Sequence, residues 1–316
     1  MNKNYVPEIT LTYFALALII FASAFFPQPQ AFTPIFMSVL LLIPIYLWYK
    51  NYSDKEKLSK ETIKKDKSAT FFWIFILFIL ALSVRIPSAL IFGMPYEKTP
   101  LIYLIILTII LIEKTDISAF GFKTENIEKS LLYGLAFFIV LSGVLSLSFN
   151  LLIFVFTNQI SIASFSIIFF FLVMPFHTLC VGISEEGLFR GYMQTHLQKF
   201  YTPTNAILIQ ASLFGIWHFV WDLRPFNPIG MAQYIAITFL IGLLFGYFYS
   251  KSKNIVPLIF AHGLYNSFIQ GIIKSETAAE AFKAIPIASQ IMAGLLPYAI
   301  SAITTFLFIK YVVKEI

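Results

Sequence analysis

The chain alternates between long apolar runs and short polar joints. Apolar runs lie near 10–26, 33–49, 69–93, 100–113, 131–157, 162–183, 204–220, 230–250, 254–273 and 288–309. A bilayer-spanning helix needs about 20 predominantly apolar residues. Most of these runs approach that length, while the fourth is short and reads as a tilted or re-entrant piece. The pattern predicts an all-α, polytopic transmembrane helix bundle of about ten spans.

The joints orient the bundle. Residues 50–67 contain seven lysines (Lys50, Lys55, Lys57, Lys60, Lys64, Lys65 and Lys67). Such a segment marks the cytoplasmic side. Counting spans from it, Lys114, Lys123, Lys129, Lys199, Lys251, Lys253, Lys310 and Lys314 fall on the same side. The joints near Pro27–Ala31, Met94–Thr99 and Asn158–Ser161 fall outside. The exceptions, Arg224 and the stretch 274–283, have acidic residues beside them. Both termini are expected in the cytoplasm. Ala22-Ser23-Ala24 resembles a signal-peptidase site, but the long preceding segment with Lys3 and Glu8 reads better as an uncleaved first span.

Composition agrees. Only 12% of the residues are charged and 59% are hydrophobic, against about a quarter charged in soluble domains. The surplus apolar surface needs lipid. The net charge of +6 sits in the joints, so it reports topology and no nucleic acid is expected as a partner. Cys180 is the single cysteine, which excludes an intrachain disulfide and cysteine-pair metal sites; it reads as a packing residue. The Phe-, Lys- and Ile-rich composition points to a bacterial cell membrane. Four regions are expected: an N-terminal hairpin with its lysine-rich loop over 1–68, further membrane helices over 69–160, a polar-residue-bearing core over 161–273, and a last span within 274–316.

Ionisable residues inside spans cost roughly 2.5–3.5 kcal/mol each on insertion scales, so they mark function. They are Arg85, His177, Glu185, Glu186, Arg190, His218 and His262. Arg85 is expected to snorkel or pair inside the bundle, His196 to lie at the interface, and His177 has no assigned role. Glu185 lies 14 residues before Lys199, about 21 Å of helix rise. Glu186 and Arg190 are four apart and can pair on one helix face; Glu185 then points elsewhere, free for chemistry. His218 lies about 20 Å in from Asn205, and His262 and Asn266 lie about 12–18 Å in from Asn254. Each group has a plainer reading: a helix-start acidic cap for the glutamates, an interfacial histidine beside Trp217 and Trp221, and interhelical hydrogen bonding for His262 and Asn266. Their common depth favours one polar cavity, expected to open toward the cytoplasm.

Glu-Glu-x-x-x-Arg at 185–190, Phe-x-x-x-His at 214–218 and His-x-x-x-Asn at 262–266 resemble, in that order, the CPBP family. It includes type II CAAX prenyl endopeptidases, lysostaphin-resistance-protein-A-like proteins and bacteriocin-processing or self-immunity proteases. The resemblance covers about 161–273 and implies an intramembrane endopeptidase. It implies that Glu185 and His218 activate water, that His262 and Asn266 hold the oxyanion, and that Glu186 and Arg190 support them. A zinc enzyme using Glu185, His218 and His262 is the rival mechanism, although no HExxH motif is present. A transporter or a non-catalytic membrane scaffold is the rival function. The expected partners are the lipid bilayer and a peptide or membrane-protein substrate, such as a prenylated tail or a bacteriocin leader.

Overall fold

A computed structural model describes residues 3–25, 32–62, 66–94, 96–158, 164–273, 283 and 285–316. The expected outer joints at Pro27–Ala31 and Asn158–Ser161, and the stretch 274–283, lie wholly or mostly outside these residues.

Among the described residues, every apolar run is mainly helical. Seven are long and apolar enough to cross a membrane: α1 (Lys3–Ser23), α2 (Phe32–Ser53), α3 (Lys67–Phe92), α5 (Ile127–Thr157), α6 (Ile167–Leu197), α8 (Pro228–Ser252) and α10 (Ile287–Tyr311). Three are shorter: α4 (Lys98–Ile112), α7 (Pro203–Trp217) and α9 (Val256–Gly271). The protein is a polytopic helical bundle. Among the described residues, extended structure is limited to Ser164–Phe165 paired antiparallel with Ile272–Ile273.

Local chemistry sets the helix ends. Asp66 Oδ1 accepts from Ala69 N at 2.7 Å and starts α3. Thr202 caps α7 ahead of Pro203, and Asn227 caps α8 ahead of Pro228. These are the N-cap and first-turn proline positions that helices favour. Gly93 adopts φ +68° and ends α3, a left-handed conformation glycine takes without a side-chain penalty. That turn swings the chain back so that α4 begins beside the end of α3.

Each helix turns one apolar face inward and leaves another for lipid. On α3, Phe72, Phe75 and Ile79 are exposed, while Trp73, Leu77, Ala81 and Val84 on the opposite side are buried. With no water to satisfy the backbone, a bilayer-spanning segment must bond its own polar groups, as these helices do.

Packing brings distant segments together. α1 lies on α4, α7 runs along α8, and α10 lies on α5. α9 lies between α5 and α6. Gly263 allows the closest approach of α9 to α6, since a Cβ there would sit 2.0 Å from Thr178 Oγ1. Gly182 makes the reciprocal contact, since a Cβ there would sit 2.6 Å from Ile259 O. α6 is not uniformly α-helical: wide π turns at Phe176–Gly182 and Gly187–Gln194 flank the short α-helical segment Ile183–Glu186. Such insertions rotate the side chains that follow and occur often at functional sites.

The joints form two ends. Ser59 N bonds Lys114 O at 3.0 Å and Asn254 Nδ2 bonds Lys123 O at 3.1 Å. Lys199 Nζ bonds Thr62 O at 2.7 Å. The lysine-bearing joints therefore meet at one end. At the other, Arg224 Nη1 bonds Leu90 O at 2.8 Å.

Candidate active site

α6 supplies Glu185, Glu186 and Arg190, all buried. Arg190 Nη1 donates to Glu186 Oε1 at 3.1 Å, the pairing their spacing predicts. The guanidinium also lies 4.2 Å from the Phe214 ring centroid and 5.0 Å from that of Phe245. Phe214, the first residue of the second motif, thus lies against the buried cation.

His218 follows directly on α7. Its Nδ1 contacts Phe214 O at 2.7 Å, a carbonyl one turn back. A carbonyl only accepts, so Nδ1 carries the proton and Nε2 faces away from the backbone. Nε2 lies 3.8 Å from Glu185 Oε2. Tyr234 of α8 stacks on the imidazole, with centroids 5.9 Å apart.

α9 presents His262 between the two glutamates. Its Nδ1 is 2.7 Å from Glu186 Oε1, and its Nε2 is 3.7 Å from Glu185 Oε2. Asn266 lies one turn further along α9 and lines the same cavity. Sequence positions 185, 218 and 262 are therefore neighbours in space.

Glu185 is less free than its helix position suggests. Lys98 Nζ forms a short ion pair with Glu185 Oε1. Trp217 Nε1 donates to the same oxygen at 3.0 Å. Oε2 is buried and has no hydrogen-bond partner among the described residues. One carboxylate oxygen is clamped, and the other faces two imidazole nitrogens.

Lys98 belongs to a further buried cluster. Its Nζ is 2.8 Å from Glu97 Oε1. Arg85 Nη1 is 2.5 Å from the same oxygen, and Arg85 Nε donates to Trp217 O at 3.0 Å. The Arg85 guanidinium lies 4.2 Å from the Trp217 ring centroid. Three cations (Arg85, Lys98 and Arg190) thus balance three carboxylates (Glu97, Glu185 and Glu186), which is how low-dielectric surroundings tolerate such groups.

Several expectations change. Arg85 pairs inside the bundle and does not snorkel. Trp217 is fully buried and is no part of an interfacial belt. His196 is also buried: its Nε2 is 3.2 Å from Glu113 Oε2, and Tyr192 OH donates to Glu113 Oε1 at 2.7 Å. His177 is buried and lines the cavity; Cys180 packs with Phe176 and Val181. Glu97 and Lys98 belong to the expected outer joint Met94–Thr99, yet they lie in the buried heart of the site. An adjacent acid–base pair opening a short apolar run was the available signal, because the turn at Gly93 folds it inward.

The cavity has a volume of about 430 Å³. It is lined by Glu185, His218, His262 and Asn266, with Met94 and Lys98 at the start of α4 and Gln270 at the end of α9. Its lining on α8 spans Tyr234 to Phe245, and on α9 spans His262 to Gln270. Both stretches begin near the middle of their helices and run from there toward the helix ends that carry no lysine joint. Depth measured from the lysine side located the polar groups, but it carried no information on which way the space beside them extends.

Zinc fits poorly as these groups stand. No group of three or more His, Cys, Asp or Glu among the described residues is arranged to hold a metal ion. The Lys98 ammonium bound to Glu185 would also oppose a dication on that carboxylate.

No curated protein matches the chain. Residues 167–268 are similar to the Rce1-like type II CAAX prenyl endopeptidase family. The matched stretch starts with α6 and ends within α9, so it holds all three polar motifs and excludes α1–α5 and α10. This integral membrane protein therefore carries, over residues 167–268, a domain of the CPBP family of intramembrane proteases.

Proposed function

We propose that the chain is an intramembrane endopeptidase in which Glu185 and His218 activate a water and His262 with Asn266 receives the oxyanion. The observation that carries this reading is the state of Glu185 Oε2. It is buried without a hydrogen-bond partner among the described residues, 3.8 Å from one imidazole Nε2 and 3.7 Å from another. A carboxylate oxygen left in that state needs a bridging polar group, and a water satisfies all three atoms. The family of residues 167–268 supports peptide-bond cleavage as the chemistry.

The steps follow from the donors and acceptors. Water donates one hydrogen bond to Glu185 Oε2 and one to His218 Nε2. Lys98 and Trp217 hold Oε1, so the carboxylate cannot rotate away. As the water oxygen attacks the scissile carbonyl carbon, its proton passes to Glu185 and the carbonyl π electrons move to oxygen. Asn266 Nδ2–H and protonated His262 Nε2–H donate to that oxyanion. Glu186 stabilises the imidazolium through its contact with Nδ1. The C–N bond then breaks, and the proton on Glu185 passes to the leaving nitrogen.

The test is cleavage of an internally quenched peptide library by purified protein in detergent, with and without a chelator. Wild type is expected to cleave and to keep its rate in chelator. Glu185→Gln and His218→Ala are each expected to lose ~10²–10⁴ of kcat/KM, the range for general acid–base groups. A rate abolished by chelator and restored by zinc would replace this mechanism with a metal-dependent one. Unchanged cleavage in Glu185→Gln would remove Glu185 from the chemistry.

A further inference from the structure

Resting on the peptidase reading above, we propose that His177 and Gln270 form a second polar rung of the cavity, which binds a main-chain peptide group of the substrate about three to four residues from the scissile bond.

His177 is a buried cavity residue that the water chemistry leaves unused. His218 and His262 face Glu185 Oε2. His177 lines the same cavity but lies eight positions before Glu185 on α6, about 12 Å of helix rise away. An α-helix advances about 100° per residue, so eight residues would drift about 80° from a common line. The wide π turn at Phe176–Gly182 takes more residues per turn and reduces that drift. His177, Val181 and Glu185 accordingly all line one space.

α9 supplies the other half of the rung. It lies antiparallel to α6 here: Glu186 meets His262 at one level, and the Gln270 side chain hydrogen-bonds His177 at the other. His262, Asn266 and Gln270 follow each other at four-residue spacing and all line the cavity, as residues on one helix face do. His177 is buried, and its Nδ1 has no hydrogen-bond partner among the described residues. A buried nitrogen in that state calls for a polar partner. Gln270 is exposed, and its carboxamide holds both donors and an acceptor.

Charge sets the class of ligand. Among the described residues that line the cavity, the carboxylate and the ammonium are those of Glu185 and Lys98, and they pair with each other. A charged group held at His177 would have no counter-ion, which is costly in buried surroundings. A peptide group is neutral and offers one N–H and one C=O, which suits an imidazole nitrogen beside a carboxamide. An extended chain covers about 3.3–3.6 Å per residue. A peptide whose scissile carbonyl sits at Glu185 therefore reaches His177 with a peptide group about three to four residues away. Val181, Tyr265 and Ile269 line the cavity between the two rungs and give the intervening side chains a largely apolar wall.

The experiment measures kcat and KM of the purified protein in detergent. The substrates are an internally quenched peptide that wild type cleaves, versions of it shortened from either end, and versions with single amides replaced by esters. An ester removes the N–H and weakens the carbonyl as an acceptor. The proteins are wild type, His177→Ala and Gln270→Ala; because Gln270 is exposed, its variant keeps the test valid if His177→Ala folds poorly. Each variant is expected to raise KM about 3- to 10-fold, the size of one lost hydrogen bond, with kcat little changed. Wild type is expected to show the same rise for the ester at one amide three or four residues from the cut, and for peptides shortened past it. The variants are expected not to distinguish those peptides from the parent, since contacts that act together are non-additive. If His177 and Gln270 only tie α6 to α9, the variants lose the same factor with every peptide, and that result overturns the subsite. Unchanged KM in both variants overturns it too. Either outcome leaves the peptidase reading standing, because wild type still cleaves and Glu185→Gln does not. Absence of cleavage by wild type would remove that reading and the subsite with it.

Discussion

Lys98 is the residue whose role is clearest from contacts alone. It bridges Glu97 and Glu185 with its ammonium almost wholly buried. Removing one partner from a buried ionic network typically costs about 3–5 kcal/mol, because the remaining charges stay buried without compensation. Lys98→Met leaves three buried carboxylates facing two buried cations, Arg85 and Arg190. It is expected to lower the thermal midpoint in detergent and to reduce peptide cleavage, whereas Glu97→Gln paired with Lys98→Met recovers much of the stability. Thermal unfolding followed by tryptophan fluorescence checks this. A Lys98→Met protein as stable as wild type would mean that the pair contributes little. The charged residues of the site divided unevenly in legibility. Glu186 and Arg190 were readable because four-residue spacing on a helix dictates contact. Glu185 and Lys98 lie 87 positions apart, and no local rule connects them. Lys98 also begins an apolar run, where a lysine reads as a helix-end charge in water.

At the scale of elements, the active geometry depends on how closely α9 approaches α6. The ten helices were legible because bilayer burial imposes long apolar runs. The π turns that rotate α6 around Ile183–Glu186 were not, since apolar sequence is compatible with either helical winding. The near-contact at Gly263 was equally silent: a glycine in a helix is ordinary until a second helix is known to press on it. A methyl group there would meet Thr178 across a gap of 2.0 Å. Relief requires α9 to shift, which carries His262 away from both glutamates. Gly263→Ala is expected to cost about 1–3 kcal/mol, as overpacking does, and to reduce kcat/KM more than tenfold. Peptide cleavage alongside a thermal melt checks it. A stable and fully active Gly263→Ala variant would mean that the α6–α9 contact is not what holds the histidine in place.

On the scale of the whole molecule, the lysine-bearing end and the polar cavity are separate features. The lysine-bearing end is joined by hydrogen bonds between loops and backed by buried aromatic and amide side chains. The cavity lies near the middle of the bundle, beside Glu185, His218 and His262. Lysine distribution made the orientation legible, and helix rise made the depth of the polar groups legible. The shape of the space beside those groups was not, because it depends on how side chains from α4, α7, α8 and α9 fill space together. Everything chemical in the account requires that Glu185 and His218, contributed by separate helices, act on one water as a single unit. A double-mutant cycle on kcat/KM with Glu185→Gln and His218→Ala measures that directly. Groups that act as a unit are strongly non-additive, so the double variant is expected to be scarcely slower than the worse of the two single variants. Losses that multiply in full would mean that the two residues act independently, and would contradict the shared site.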